Sequence, residues 1–211
     1  CGPRGSGKTT TLYASLAQME RTKLNISTVE DPVEYDLAGI NQCQMFDKIG
    51  MTFAVALRAL LRQDPDVVMI GEIRDAETAN IACQAANTGH MVFSTVHAND
   101  AVRTITRIRD LGVNSKLLTS TCLGTMAQRL VRINCPHCSE PVPVEDDLKR
   151  LAESYGIEMK DDMVRAGRGC VQCNGIGFKG RTAIHELMVM SPELRSLIEA
   201  GAPDSDLERV A

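Results

Sequence analysis

At 211 residues and 23.0 kDa, the chain has room for one sizeable domain and a small appendage. A core of ~150 residues buries about 70% of its unfolded surface and needs no staples. A net charge of −4 and a pI near 5.6 exclude a broad electrostatic footprint for nucleic acid or an anionic membrane, and no apolar run approaches the ~20 residues that span a bilayer.

The first stretch, Gly2-Pro3-Arg4-Gly5-Ser6-Gly7-Lys8-Thr9, spells G-x-x-x-x-G-K-T. Glycines there let the backbone wrap a phosphate and turn successive N–H groups inward as an anion nest. Lys8 is placed to reach the β- and γ-phosphates, and the Thr9 hydroxyl to ligate Mg²⁺. Thr10 opens a helix running to Ala17, whose positive N-terminal dipole faces the same anion. Gly2, Gly5, Ser6, Gly7, Lys8, Thr9 and Thr10 are therefore the candidate nucleotide-binding residues. Only Cys1 precedes the loop, so the strand that feeds such a loop is expected upstream of this chain.

Leu24–Val29 reads as a short strand ending in Glu30-Asp31-Pro32-Val33-Glu34, where carboxylates at a strand's end mark the ligand-binding edge of an α/β sheet. Local chemistry does not choose among Glu30, Asp31 and Glu34. Residues 35–50 carry little regular signal, and 51–63 repeats apolar residues at helical spacing with Arg58 and Arg62 on a solvated face. Val67-Val68-Met69-Ile70 lacks alternation and reads as a strand buried on both faces. Glu72 follows it, where a nucleotide hydrolase holds Mg²⁺ or its water. A helix over 75–88, a strand over 91–95 bracketed by His90 and His97, and helices over 101–111 and 116–132 complete an alternation that predicts a mostly parallel α/β sheet. His97, at the carboxyl end of its strand, is a candidate phosphate sensor or relay, and His90 a second one.

Of eight cysteines, the last four form Cys135-x-x-Cys138 and Cys170-x-x-Cys173, 31 residues apart. Beside a phosphate loop, paired knuckles favour tetrahedral Zn²⁺ over disulfides. His137 reads as a spectator between two ligands, 145–155 as a helical insert, and 175–181 as a flexible turn. The segment 182–190 alternates like a strand, and Ser191-Pro192-Glu193 opens a capped helix.

The blocks GPRGSGKTTTLY, STVEDPVEY, LRQDPDVVMIGEIRDAETA, TGHMVFSTVHAND, AQRLVRINCPHC and GRTAIHELM, in this order, resemble the secretion ATPases that power type II secretion and type IV pilus assembly. The resemblance covers essentially the whole chain. It implies a RecA-like P-loop core with helices on both sheet faces, a tetracysteine zinc subdomain, a helical tail and a missing first core strand. In that frame 2–9 is the Walker A loop, 28–35 the acidic box, 67–72 the Walker B strand and 89–97 the histidine box. The corresponding domains are 1–134, 135–180 and 181–211. The resemblance selects Glu34 as the residue that activates water, makes Glu72 the Walker B acid, and gives His90 and His97 catalytic roles. It also implies ATP, Mg²⁺ and Zn²⁺ as cofactors, a cytoplasmic homo-hexamer working on inner-membrane platform proteins, and no direct nucleic-acid partner. Arg4 departs from the threonine frequent at that position. A RecA-like nucleic-acid translocase and a nucleotide-binding scaffold without turnover are the rival readings; the acidic charge opposes the first, and Glu34 with Glu72 the second.

Overall fold

Val67-Val68-Met69-Ile70 sets the architecture, because all four side chains are buried and alternate ones face opposite sides of the sheet. The computed structural model describes residues 1–159 and 161–211. The chain begins with helix α1 (Lys8–Ala17), strand β1 (Ile26–Glu30), β2 (Asn41–Gln44), α2 (Phe53–Leu60) and β3 (Val67–Ile70). It continues with α3 (Ala76–Asn87), β4 (Met91–Ser94), α4 (Ala101–Asp110), α5 (Ser115–Thr121) and β5 (Gly124–Asn134). Then come β6 (Ser139–Pro143), α6 (Asp146–Ser154), β7 (Met163–Gly167), β8 (Phe178–Val189), α7 (Pro192–Glu199) and α8 (Asp204–Glu208).

Strands β1 to β4 form a parallel sheet in the order β2-β1-β3-β4. Val29 pairs with Ile70 and Ile70 with Ser94, so the carboxyl ends of β1, β3 and β4 emerge along one edge. Val67 and Met69 pack with Ile26 and with Tyr13 and Leu16 of α1 on one face. Val68, Ile70 and Val29 pack on the other against Phe53 and Leu57 of α2, Ala79 and Ala82 of α3, Ile105 of α4 and Leu118 of α5. Side chains at helix starts satisfy backbone N–H groups: Thr52, Asp75, Asp100 and Ser191 each accept one from the first turn they precede, and Asn114 accepts two.

Three expectations fail. Residues 116–132 do not form one helix: α5 stops at Thr121, Cys122 turns extended, and Gly124 to Asn134 become β5. Met126, Ala127, Gln128, Arg129 and Leu130 favour helix locally, but pairing of β5 with β8 overrides that preference. The stretch 35–50 is not irregular throughout, because Asn41-Gln42-Cys43-Gln44 pairs with β1 as an edge strand. Its polar side chains give no apolar alternation to read. Likewise β8 begins at Phe178, inside the segment expected to be a turn.

The chain divides into two compact units, Cys1–Arg129 with His185–Ala211, and Leu130–Ile184; the crossings fall within β5 and β8. In the second unit β6 and β7 pair antiparallel, with Val142 opposite Val164. Among the described residues, no helix is long and apolar enough to cross a membrane.

Candidate nucleotide cleft and tetracysteine cluster

The first loop is shaped by positions that only glycine fills easily. Gly7 caps α1 at φ 85°, a left-handed conformation. A Cβ on Gly2 would stand 2.5 Å from the Gln128 carbonyl and 2.6 Å from Ser6 Oγ. Ser6 Oγ is buried without a hydrogen-bond partner, a polar atom aimed at no protein group. Lys8 Nζ donates to the Gly2 carbonyl at 2.8 Å and to the Pro3 carbonyl at 3.0 Å. Partial burial lowers its pKa, with Glu72 opposing that shift. Gln128 of β5 braces the loop: its Nε2 donates to the Ser6 carbonyl and its Oε1 accepts from Thr11 Oγ1, both at 2.7 Å.

A cleft of about 690 Å³ opens where this loop faces the carboxyl edge of the sheet. Gly5, Lys8 and Thr9 line it from α1 and its loop, Glu30, Asp31 and Glu34 from the end of β1, Glu72 and Arg74 from the end of β3, and His97 from the end of β4. Thus Lys8, Thr9, Glu34, Glu72 and His97, read from separate stretches of sequence, share one cavity. Gly2 and Ser6 form the buried inner part of the loop, and Thr10 is exposed in the first turn of α1.

Glu72 is the electrostatic centre of the cleft. Arg74 pairs with it and reaches Asp31 at 3.4 Å, and His97 Nε2 lies 3.3 Å from Glu72 Oε2. The Arg74 hydrogen bond, foremost, holds the Glu72 carboxyl below its ordinary value, so it is ionised at neutral pH. An ionised carboxylate and the Thr9 hydroxyl on one cavity form an oxygen donor set of the kind Mg²⁺ takes.

His90 stands apart from this group. It precedes β4, at the opposite edge of the sheet, and its Nδ1 lies 2.9 Å from the Ala85 carbonyl and 3.1 Å from Thr88 Oγ1. Those bonds close the end of α3. Sequence reasoning also passed over residues that support the cleft. Tyr13 and Gln128 lie inside blocks of the resemblance with no role assigned to them, Gln42 lies in none, and only the folded chain brings them to the cleft.

In the second unit the sulfurs of Cys135, Cys138, Cys170 and Cys173 lie within 4.8 Å of one another. Cys135–Cys170 is 3.9 Å, and Cys138–Cys173 and Cys170–Cys173 are each 3.8 Å. Zn–S bonds of ~2.3 Å in a tetrahedron put sulfurs ~3.8 Å apart, so this donor set fits that metal. The backbone orients the sulfurs: Gly169 N–H donates to Cys138 Sγ at 3.3 Å, and Cys170 N–H and Gly177 N–H to Cys173 Sγ at 3.1 and 3.3 Å. The Cys173 thiol is drawn down to about 6, chiefly by the Cys170 N–H.

Known proteins are similar to this chain along nearly its whole length. The type II secretion system protein E of Aeromonas hydrophila is 52% identical over 210 residues, covering 99% of this chain and 41% of that protein. The type II secretion system ATPase E of Vibrio cholerae serotype O1 is 49% identical over 209 residues, covering 99% of this chain and 41% of that protein. The chain spans about two fifths of the length of the curated relatives it matches. Among solved structures, the pilus retraction motor PilT with bound ADP superposes with a TM-score of 0.63 at 30% identity, over 99% of this chain and 50% of that one. The family model described as "Type II/IV secretion system protein" matches residues 1–211. The chain belongs to that family.

Proposed function

We propose that this chain is the catalytic part of a motor that hydrolyses ATP to ADP and phosphate to drive type II protein secretion or type IV pilus assembly. The observation that carries the reading is the single cleft shared by Lys8, Thr9, Glu34, Glu72 and His97. The relatives' names supply the secretion context.

In this reading the loop from Gly2 to Gly7 wraps the phosphates with its N–H groups, and Lys8 exchanges its backbone carbonyl partners for phosphate oxygens. Thr9 and Glu72 hold Mg²⁺, which when bound offsets negative charge on the phosphates. Glu34 orients a water for in-line attack: the water's oxygen bonds to the γ-phosphorus as the bond to the β–γ bridging oxygen breaks, ADP leaves with that electron pair, and the water's proton passes to the released phosphate. His97 and Arg74, paired to Glu72, register whether the γ-phosphate is present. His90 then contributes through the end of α3, away from the reacting atoms. The four cysteines hold Zn²⁺ in a structural role.

The whole protein is proposed to work as a cytoplasmic homo-hexamer on platform proteins of the inner membrane. The test is Mg²⁺-dependent phosphate release from ATP, with and without DNA. Release that is Mg²⁺-dependent and indifferent to DNA supports the reading; strong stimulation by DNA would favour a translocase, and binding without release a scaffold.

A further inference from the structure

The loop that carries Glu34 lies outside the sheet ladder, yet side chains from two other elements hold its backbone. From β2, Gln44 Oε1 accepts from the Val33 N–H at 3.2 Å and Gln42 Oε1 from the Leu37 N–H at 2.6 Å. Gln42 Nε2 donates to the Tyr35 carbonyl at 3.2 Å. From α1, the Tyr13 hydroxyl accepts from the Glu34 N–H at 3.3 Å. The Tyr13 ring also meets the Tyr35 ring edge-on, with centroids 4.7 Å apart at an interplanar angle of 75°.

Tyr13 is 1% exposed, and its hydroxyl proton is committed to Glu30 Oε2. That fixes the direction of the oxygen lone pairs, which are left to accept from the Glu34 N–H and, at 3.4 Å, from Gln42 Nε2. Glu30 is itself 2% exposed, and its other oxygen accepts from Thr28 Oγ1 at 2.6 Å and Gln42 Nε2 at 3.1 Å. Burial, reinforced by Glu30, pushes the Tyr13 phenol up to about 12, so it stays protonated. On α1, Tyr13 follows Thr9 by four residues and lies one turn further along the same face.

The geometry points to Tyr13 as a positioning residue: its hydroxyl fixes the Glu34 loop to the helix whose first turn carries Lys8 and Thr9, and buried Glu30 orients that hydroxyl. Without this tie, Glu34 and the phosphate loop belong to separate segments with no common support on this side of the cleft. The inference rests on the reading of Glu34 as the residue that orients water.

Tyr13→Phe keeps the ring and its contact with Tyr35 and removes only the hydroxyl. In the 211-residue chain, kcat for phosphate release should fall on the order of 10- to 100-fold while the KM for ATP stays within about twofold, because a misplaced orienting group costs turnover and not ground-state binding. Amide exchange should rise at residues 33–37 and stay unchanged in β1 and β3. Combining Tyr13→Phe with Glu34→Gln should cost no more than Glu34→Gln alone, as expected for groups acting as one unit. Gln42→Ala keeps the Tyr13 hydroxyl but removes the tethers to Leu37 and Tyr35, together with the Gln42 contacts to Tyr13 and Glu30; it should reproduce the kcat-specific loss even where Tyr13→Phe fails to fold. Turnover within about twofold of wild type in both variants, with unchanged exchange at 33–37, overturns the inference. If the wild-type chain releases no phosphate, the hydrolase reading fails instead. Exchange then decides alone: faster exchange at 33–37 in Tyr13→Phe upholds the tie, and unchanged exchange refutes it.

Discussion

Four sulfurs from two C-x-x-C knuckles close within 4.8 Å of one another in the unit Leu130–Ile184. In the other unit, the cleft draws Lys8, Glu34, Glu72 and His97 from four separate stretches of chain. The cysteine cluster is one chemistry repeated, and backbone N–H groups of one short segment, those of Gly169, Cys170 and Gly177, orient the sulfurs of Cys138 and Cys173. The cleft is several chemistries, each delivered by the end of a different strand or helix. So removing one member of the cluster should undo the whole, whereas removing one member of the cleft should delete one property and spare the rest.

The largest effect expected is at the cluster. Structural zinc contributes on the order of 10 kcal/mol to the folding of a small unit, so Cys170→Ser should abolish stoichiometric zinc by elemental analysis and unfold residues 130–184 by amide exchange. Nucleotide affinity should remain within about threefold, since no cysteine of the cluster lines the cleft. Retained zinc with normal exchange would remove the contrast between the two sites.

Next comes Lys8→Ala. The ammonium lines the cleft as a compact cation, and its loss should weaken ATP and ADP affinity by about 100-fold or more, roughly 3 kcal/mol. The sheet should keep its melting behaviour. A variant that binds ADP normally would show that another group carries the phosphates.

The smallest effect is electrostatic. Because Arg74 depresses the folded pKa of Glu72, the pair's contribution is full above the unfolded carboxyl value of 4.5 and declines as pH falls below it. It is gone once pH passes below the folded value. The Arg74 side chain is 51% exposed, so solvent screening limits the contribution to about 1 kcal/mol or less. Arg74→Ala should therefore lower stability slightly at pH 7, and the difference from wild type should shrink as pH falls below 4.5, as read by denaturant titration across that range.

The two regions also differed in how well the sequence announced them. The phosphate loop and the paired knuckles are legible because each needs fixed residue types at fixed spacing. Val67 to Ile70 is legible because burial on both faces leaves an unbroken apolar run. Hidden were the parts whose state depends on distant partners. Gln128 looks helical until β8 pairs with its segment, and Gln42 sits on a polar edge strand with no periodic signal. Tyr13 reads as an ordinary core position of α1, and its hydroxyl acquires meaning only from Glu30 and Glu34. His90 and His97 look symmetrical around one strand, but a parallel sheet sends them to opposite edges.

The most direct test of the cleft as a hydrolytic site pairs two readings on one variant, Glu34→Gln: equilibrium ATP affinity and single-turnover phosphate release. A group that only orients water acts in the transition state, so affinity should stay within about threefold while release falls by about 10³-fold. An affinity loss as large as that of Lys8→Ala, or release at the wild-type rate, would contradict the assignment of Glu34.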